Sequence, residues 1–312
     1  MKNSNYIYNV NYQFGEDELC AMEVKALFKI RLESKIFFSE KEIDPSISPY
    51  LKNRIKIMYK ATTLDEIVEL VDKNKVTSEE FVVRYVELSD NNLGFREKRE
   101  FCKKVGFKIQ GFPSYDNPKN IFGLTQYDGN WYFGILKENS NSWKKHNTRP
   151  YSYSSSLSIN IAKVLPNIAS RGDVNKKIID PCCGVGTVLL EGFYAGYNIS
   201  GCEINWKVVQ SARKNLAYFE YPVEVIYGDI KDLEENYDVA IVDLPYGIST
   251  QASEKDQIEI IKNANRISKE TIVVSCTDIK YKLLDLKLEI IDTCKIIKNE
   301  NREFSRYIWI CK

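Results

Sequence analysis

Two stretches decide the fold: Ile178-Ile179-Asp180-Pro181-Cys182-Cys183-Gly184-Val185-Gly186-Thr187 and Asp243-Leu244-Pro245-Tyr246. The first reads as a buried strand ending in an acid, then a glycine turn, then a helix start. Gly184 and Gly186 let the backbone take positive φ and approach a ligand closely. A lone Gly-x-Gly is weak evidence, and the dinucleotide fingerprint asks for a third glycine. Leu189 stands at that place, which argues against a nicotinamide-dependent oxidoreductase. The second stretch reads as a buried strand ending in an acid, a stiffening proline and an aromatic ring. Together they describe a site for a nucleotide-like cofactor beside a flat, amine-bearing substrate.

Working outward, β-prone runs fall at 177–180, 199–203, 223–227, 239–243, 271–275, 288–295 and 306–311, with helical stretches between most of them. Such alternation predicts an α/β, mostly parallel, doubly wound sheet that binds ligands at its carboxyl strand ends. No helix fits between the last two runs, so they are expected to pair as an antiparallel hairpin. Glu203 ends the second strand and is placed to accept from both hydroxyls of a ribose. Asp229 ends the third and can accept from an adenine amino group, although Gly228-Asp229 is also ordinary turn chemistry.

Asp243 points to the substrate class. The exocyclic amine of a purine is a poor nucleophile because its lone pair is delocalised into the ring. Two acceptors aimed at its N–H bonds favour a pyramidal nitrogen and stabilise developing positive charge. The Asp243 carboxylate and the Leu244 carbonyl supply those acceptors, Pro245 fixes the turn through its φ, and Tyr246 offers a face for a splayed-out base.

The N-terminal half carries no such chemistry. Strands are expected at 6–10, 36–38, 54–59 and 81–87, and helices over 16–28, over 64–71 with Thr63 and Glu66 as a capping box, and over 95–106 as a basic helix. Asp128-Gly129 between 121–126 and 131–136 signals a hairpin. The 312-residue chain has a formal net charge of +1, but residues 91–150 hold 11 Lys and Arg against 5 Asp and Glu. That surplus is either a set of solvated faces or a local polyanion-binding surface. Trp143 beside Lys144, Lys145 and His146 is either a nucleic-acid contact or a buried tryptophan next to a charge run. Arg302 and Arg306 either touch phosphate or are surface arginines. The polar connector 149–158 leads into a helix whose N-terminus suits an anionic group. Eight cysteines without a CxxC pair, one histidine, no secretory signal and no long apolar run exclude zinc-finger and membrane-spanning readings and suggest reduced thiols in the cytosol.

The motif at 180–187 resembles the Asp-Pro-x-Cys-Gly-x-Gly-Thr of the THUMP-containing RNA methyltransferases, and 243–247 resembles their Asp-Pro-Pro-Tyr-Gly, with Leu244 in place of the first proline. Arg149-Pro150 and the helix running to Ala169 resemble the segment that precedes that motif. The element order before Arg149 resembles a ferredoxin-like region followed by a THUMP domain. Within the family the likeness is greatest to the tRNA guanosine-10 N2-methyltransferases. The resemblance implies a ferredoxin-like region at 1–55, a THUMP-like RNA-binding domain at 56–148 and a class I, Rossmann-like methyltransferase domain at 149–312. It implies S-adenosyl-L-methionine held by Asp180, Cys183, Gly184, Gly186, Thr187, Glu203, Asp229 and Asp243, and catalysis by Asp243, Leu244, Pro245 and Tyr246 without a metal. The implied partner is tRNA, in a cytoplasmic enzyme. The same four-residue motif also serves adenine-N6 and glutamine methylation. An N2-guanine enzyme of ribosomal RNA and a non-catalytic RNA-binding protein stay open as alternatives.

Overall fold

The structure is a computed structural model that describes residues 5–88, 93–153, 156–245, 253–297 and 305–312. Ser154, Ser155, Tyr246, Gly247 and Arg302 lie outside the described residues. The chain forms two units: Met1–Asn11, Glu33–Ser46 and Tyr50–Ser140 make the first, and Tyr12–Leu32, Ile47–Pro49 and Asn141–Lys312 make the second.

The elements run β1 (Tyr6–Val10), α1 (Asp17–Phe28), β2 (Ile36–Ser39), β3 (Leu51–Ala61), α2 (Leu64–Lys73), β4 (Thr77–Tyr85), α3 (Phe95–Gly106), β5 (Gln110–Pro113), β6 (Asn120–Tyr127) and β7 (Asn130–Glu138). All but α1 build the first unit, whose seven strands follow the order β2-β1-β3-β7-β6-β4-β5. The Thr63 hydroxyl accepts from the Glu66 amide while Glu66 reaches back to the cap, so the expected capping box is present. Asp128 and Gly129 both take positive φ, and Tyr127 pairs with Asn130, as a two-residue hairpin turn requires. Ile67, Val71, Phe81, Val105, Phe122 and Phe133 fill the core between the sheet and α2 and α3.

The second unit continues through α4 (Ile159–Ser170), β8 (Ile178–Asp180), α5 (Thr187–Tyr194), β9 (Ile199–Glu203), α6 (Trp206–Tyr218), β10 (Val225–Tyr227), β11 (Tyr237–Asp243), α7 (Glu254–Ile267), β12 (Ser268–Ser275), α8 (Lys280–Asp285), β13 (Ile290–Ile297) and β14 (Ser305–Cys311). Its strand order is β10-β9-β8-β11-β12-β14-β13. The five strands β10 to β12 are parallel, and β14 runs antiparallel to both β12 and β13, so the expected terminal hairpin is present. The order reverses between β8 and β11, which makes that gap the switch point where open α/β sheets bind ligands.

The segmentation expected from sequence differs from the observed one. A boundary after residue 55 falls inside β3, because β1, β2 and β3 share a sheet with β4–β7. Helix α1 clusters with the second unit, where it packs on α4 and β13. Its Leu19, Met22, Val24 and Leu27 are buried. The periodicity of those residues shows that a helix has an apolar side, but not which core that side joins. The second unit also starts earlier than 149: the 3-10 turn Ser142–Thr148 belongs to it, with Trp143 and His146 buried. Trp143 is therefore a core residue beside a charge run.

Candidate active site

The site is assembled from the carboxyl ends of β9, β8 and β11. Asp180 closes β8, is buried, and accepts from the Cys182 amide at 3.2 Å. Burial pushes its carboxyl well above the usual carboxylate range, and the charges of Asp243 and Glu203 push it the same way. Gly184 and Gly186 both have left-handed backbones, at φ 53° and 81°. A Cβ at Gly184 would meet nothing within 4 Å among the described residues, so the turn presents bare backbone on that side. Thr187 then begins α5, and Cys183 lies buried beneath the turn with its amide on the Cys202 carbonyl. Burial pushes the thiols of Cys182 and Cys183 well above their ordinary value, so both are neutral.

Glu203 closes β9 and spans two turns. One oxygen accepts from the Gly184 amide at 3.1 Å and the other from the Asn205 amide at 2.9 Å. The carboxylate is thus fixed in direction and retains lone pairs for a ligand. Asp229 caps the turn after β10, accepting from the Lys231 amide at 3.1 Å and pairing with the Lys231 ammonium at 3.0 Å. Here the turn-forming role offered by the sequence is realised.

Asp243 closes β11 on the other side of the switch point. Its neighbour Leu244 does two things that the proline common at this place cannot combine. Its amide donates to the Val274 carbonyl at 3.0 Å, and its side chain is buried in the core beneath. Proline has no N–H, so this backbone bond would be lost with proline here. The Pro245 carbonyl accepts from the Gln257 side chain of α7 at 3.0 Å. The turn is therefore anchored at two successive residues.

The comparisons with known proteins point the same way. Residues 146–273 match the family model of the RMKL-like methyltransferase domain. A probable tRNA (guanine(10)-N2)-dimethyltransferase of Methanothermococcus thermolithotrophicus is 30% identical, over 49% of this chain and 97% of the relative. The chain belongs to this methyltransferase family. The tRNA (guanine(10)-N2)-dimethyltransferase of Methanothermobacter thermautotrophicus is also 30% identical, over 63% of this chain, and the match takes in 61% of that relative's length. The solved structure of TrmN from Thermus thermophilus aligns over 98% of this chain and 99% of its own at 11% identity, with a TM-score of 0.47.

Two residues at this site have a role that the sequence did not disclose. The first is Gly201 on β9. A Cβ there would sit 2.6 Å from the Leu189 side chain and 3.0 Å from the Cys183 sulfur. The third glycine of a dinucleotide fingerprint serves close helix–strand packing. Here the helix carries leucine and the facing strand carries the glycine, so the small residue has changed sides of the same contact. The second is Arg306, which the sequence offered as a phosphate contact or a surface arginine. It is neither: its side chain is 1% exposed and its Nη1 lies 3.3 Å from the Asp243 Oδ1.

Proposed function

We propose that this chain methylates the exocyclic N2 of a guanosine in tRNA, with guanosine 10 the favoured position, using S-adenosyl-L-methionine. The observation that carries the reading is the juxtaposition, across the β8/β11 switch point, of the open Gly184–Gly186 turn with the anchored Asp243-Leu244-Pro245 turn. The printed names of the 30% identical relatives support the substrate assignment.

The residues present fit the cofactor. Bare backbone at Gly184 leaves room for its methionine part, and the fixed Glu203 carboxylate suits its ribose hydroxyls. Asp229, at the end of β10, suits its adenine amine. Cys183 and Thr187 shape the turn from below, and the buried Asp180 backs it. Bound S-adenosyl-L-methionine supplies an electrophilic methyl group. The chain's own part is to hold the amine in line with it. The Asp243 carboxylate and the Leu244 carbonyl accept the two N–H bonds, Pro245 holds the turn, and Tyr246 stacks the base. The target nucleotide is extruded to reach the site. The N-terminal unit serves as a THUMP-like RNA-binding module of a cytosolic enzyme. No helix among the described residues is long and apolar enough to cross a membrane.

The test is methyl transfer from labelled S-adenosyl-L-methionine to unmodified tRNA transcripts, with nucleoside analysis of the product. N2-methylguanosine or N2,N2-dimethylguanosine is expected. Asp243→Ala should lower kcat by about 10²–10³-fold, as for removal of one transition-state hydrogen-bond group. Methylated adenine, or no transfer despite measured cofactor binding, overturns the reading.

A further inference from the structure

We propose that Arg306 is a positioning residue for Asp243: from beneath the sheet end, its guanidinium keeps the Asp243 carboxylate charged and turned toward the target amine. The inference rests on the reading of Asp243 given above, and extends it to a residue outside the span matched by the family model, which ends at 273.

The topology explains how a residue of the last strand reaches the first acid of the turn. Asp243 pairs with Val274 in β12, and Val274 pairs with Ile308 in β14. Because β14 runs antiparallel to β12, the residues preceding Ile308 lie toward the carboxyl edge of the parallel strands. Arg306 is two residues before Ile308, so period-two alternation puts both side chains on one face. The result is an arginine standing at the carboxyl edge of the sheet although it begins its own strand.

The energetics point in the same direction. Arg306 is among the largest fully buried side chains of the chain. Burying a charge costs several kcal/mol, and a guanidinium cannot escape that cost by losing its proton. A counter-charge in place is what makes such a residue tolerable. Asp243 supplies it with 21% of its side chain exposed, so one end of the carboxylate is sunk against the arginine while the group still faces the site.

The arrangement of the three acids adds a reason. Asp180, Glu203 and Asp243 end three neighbouring strands, and the charges of Asp243 and Glu203 disfavour ionisation of Asp180. Among the described residues, Asp243 is the one of the three with a cation within ion-pair distance. Arg306 therefore favours the charged form of Asp243, and an ionised Asp243 is the form that can only accept hydrogen bonds. A protonated one would compete by donating.

The experiment compares Arg306→Met and Arg306→Lys in the full chain, each in the wild-type and Asp243→Asn backgrounds. With tRNA as substrate, Arg306→Met should lower kcat at least tenfold, with KM for tRNA and the calorimetric Kd for S-adenosyl-L-methionine within about threefold. Arg306→Lys, which keeps the charge, should recover part of the loss. In the Asp243→Asn background, Arg306→Met should have no further effect on kcat, because the carboxylate it acts through is gone. An equal loss in both backgrounds, no recovery by lysine, or a change in kcat below twofold overturns the proposal. A second measurement needs no substrate. Titration of the ¹³C-labelled Asp243 carboxyl, which interacts with Asp180 of β8 and Arg306 of β14, should show its midpoint rising by about a unit or more in Arg306→Met. A wild type inactive on tRNA would refute the functional reading; the titration then decides this proposal alone, and an unmoved midpoint overturns it.

Discussion

The two units built on the seven-stranded sheets differ in the ionisable side chains that they bury. Around the first sheet, Lys98, Lys104, Lys108 and Lys119 each lie against an acid of a neighbouring element, namely Glu87, Asp65, Asp72 and Glu79. These pairs are largely solvent-exposed, where screening leaves little net stabilisation. They also consume part of the positive surplus counted over residues 91–150, because their acids come from 65–87, outside that window. The second unit has exposed pairs of the same kind, such as Lys177–Glu235 and Lys262–Glu259, and in addition buries ionisable groups. Glu191 of α5 lies 2.6 Å from His146 and 3.2 Å from Lys163, all of them at most 1% exposed. Glu23 of α1 accepts from Ser48 and Asn167, both at 2.6 Å. The lesson is that the second unit adds to such surface pairs a set of buried polar contacts that fix the seats of helices behind a site.

That contrast can be broken most directly at α1. A fragment of residues 149–312 lacks the helix that fills part of the second unit's core and brings Glu23 to Asn167. It should fail to give a cooperative unfolding transition by calorimetry, while the full chain gives one. A folded fragment with a transition at the full chain's temperature would show that α1 is an ornament of the unit. Next in size is the buried pair. Glu191→Gln leaves Lys163 without its counter-charge and should cost about 3–5 kcal/mol in chemical denaturation. Lys104→Ala on α3 of the first unit should leave the denaturation midpoint unmoved within error. Equal losses for the two would erase the distinction between the units.

An effect smaller than that of Glu191→Gln concerns pH. Burial pushes the Glu23 carboxyl from an ordinary 4.5 to about 7. Between those values the folded protein holds a proton that the unfolded chain has released. Stability therefore falls as pH rises through that window and levels off above it, whereas below about 4.5 the penalty is absent. Glu23→Gln keeps the shape without the charge. Its stability should vary less between pH 5 and 7 than the wild type's, by about 2–3 kcal/mol at most. Parallel curves for the two proteins would mean that Glu23 is charged in its seat.

Much of this was legible before any coordinate. The capping box at Thr63 and Glu66, the Asp128-Gly129 hairpin and the strand ends at Asp180, Glu203 and Asp243 follow from local rules, because caps, turns and period-two runs are set by neighbours within a few residues. The grouping of Asp180, Glu203 and Asp243 was legible too, since a doubly wound sheet brings its carboxyl strand ends together whatever the loops between them.

What local rules could not reach are contacts made across the sheet. Leu189 in place of a glycine told against one cofactor class, but only the packing of α5 on β9 shows Gly201 making the room instead. Leu244 read as a departure from a proline, and only its pairing with Val274 shows a hydrogen bond that proline would lose. Arg306 read as a phosphate contact or a surface arginine; an antiparallel last strand carried it to Asp243. The sequence by itself determined the elements, the parallel sheet and the acids at its edge, because each is encoded over a few residues. The tertiary structure decided which core α1 joins, where the missing glycine went and which acid keeps a cation, because those depend on strand order and direction, which no short stretch contains.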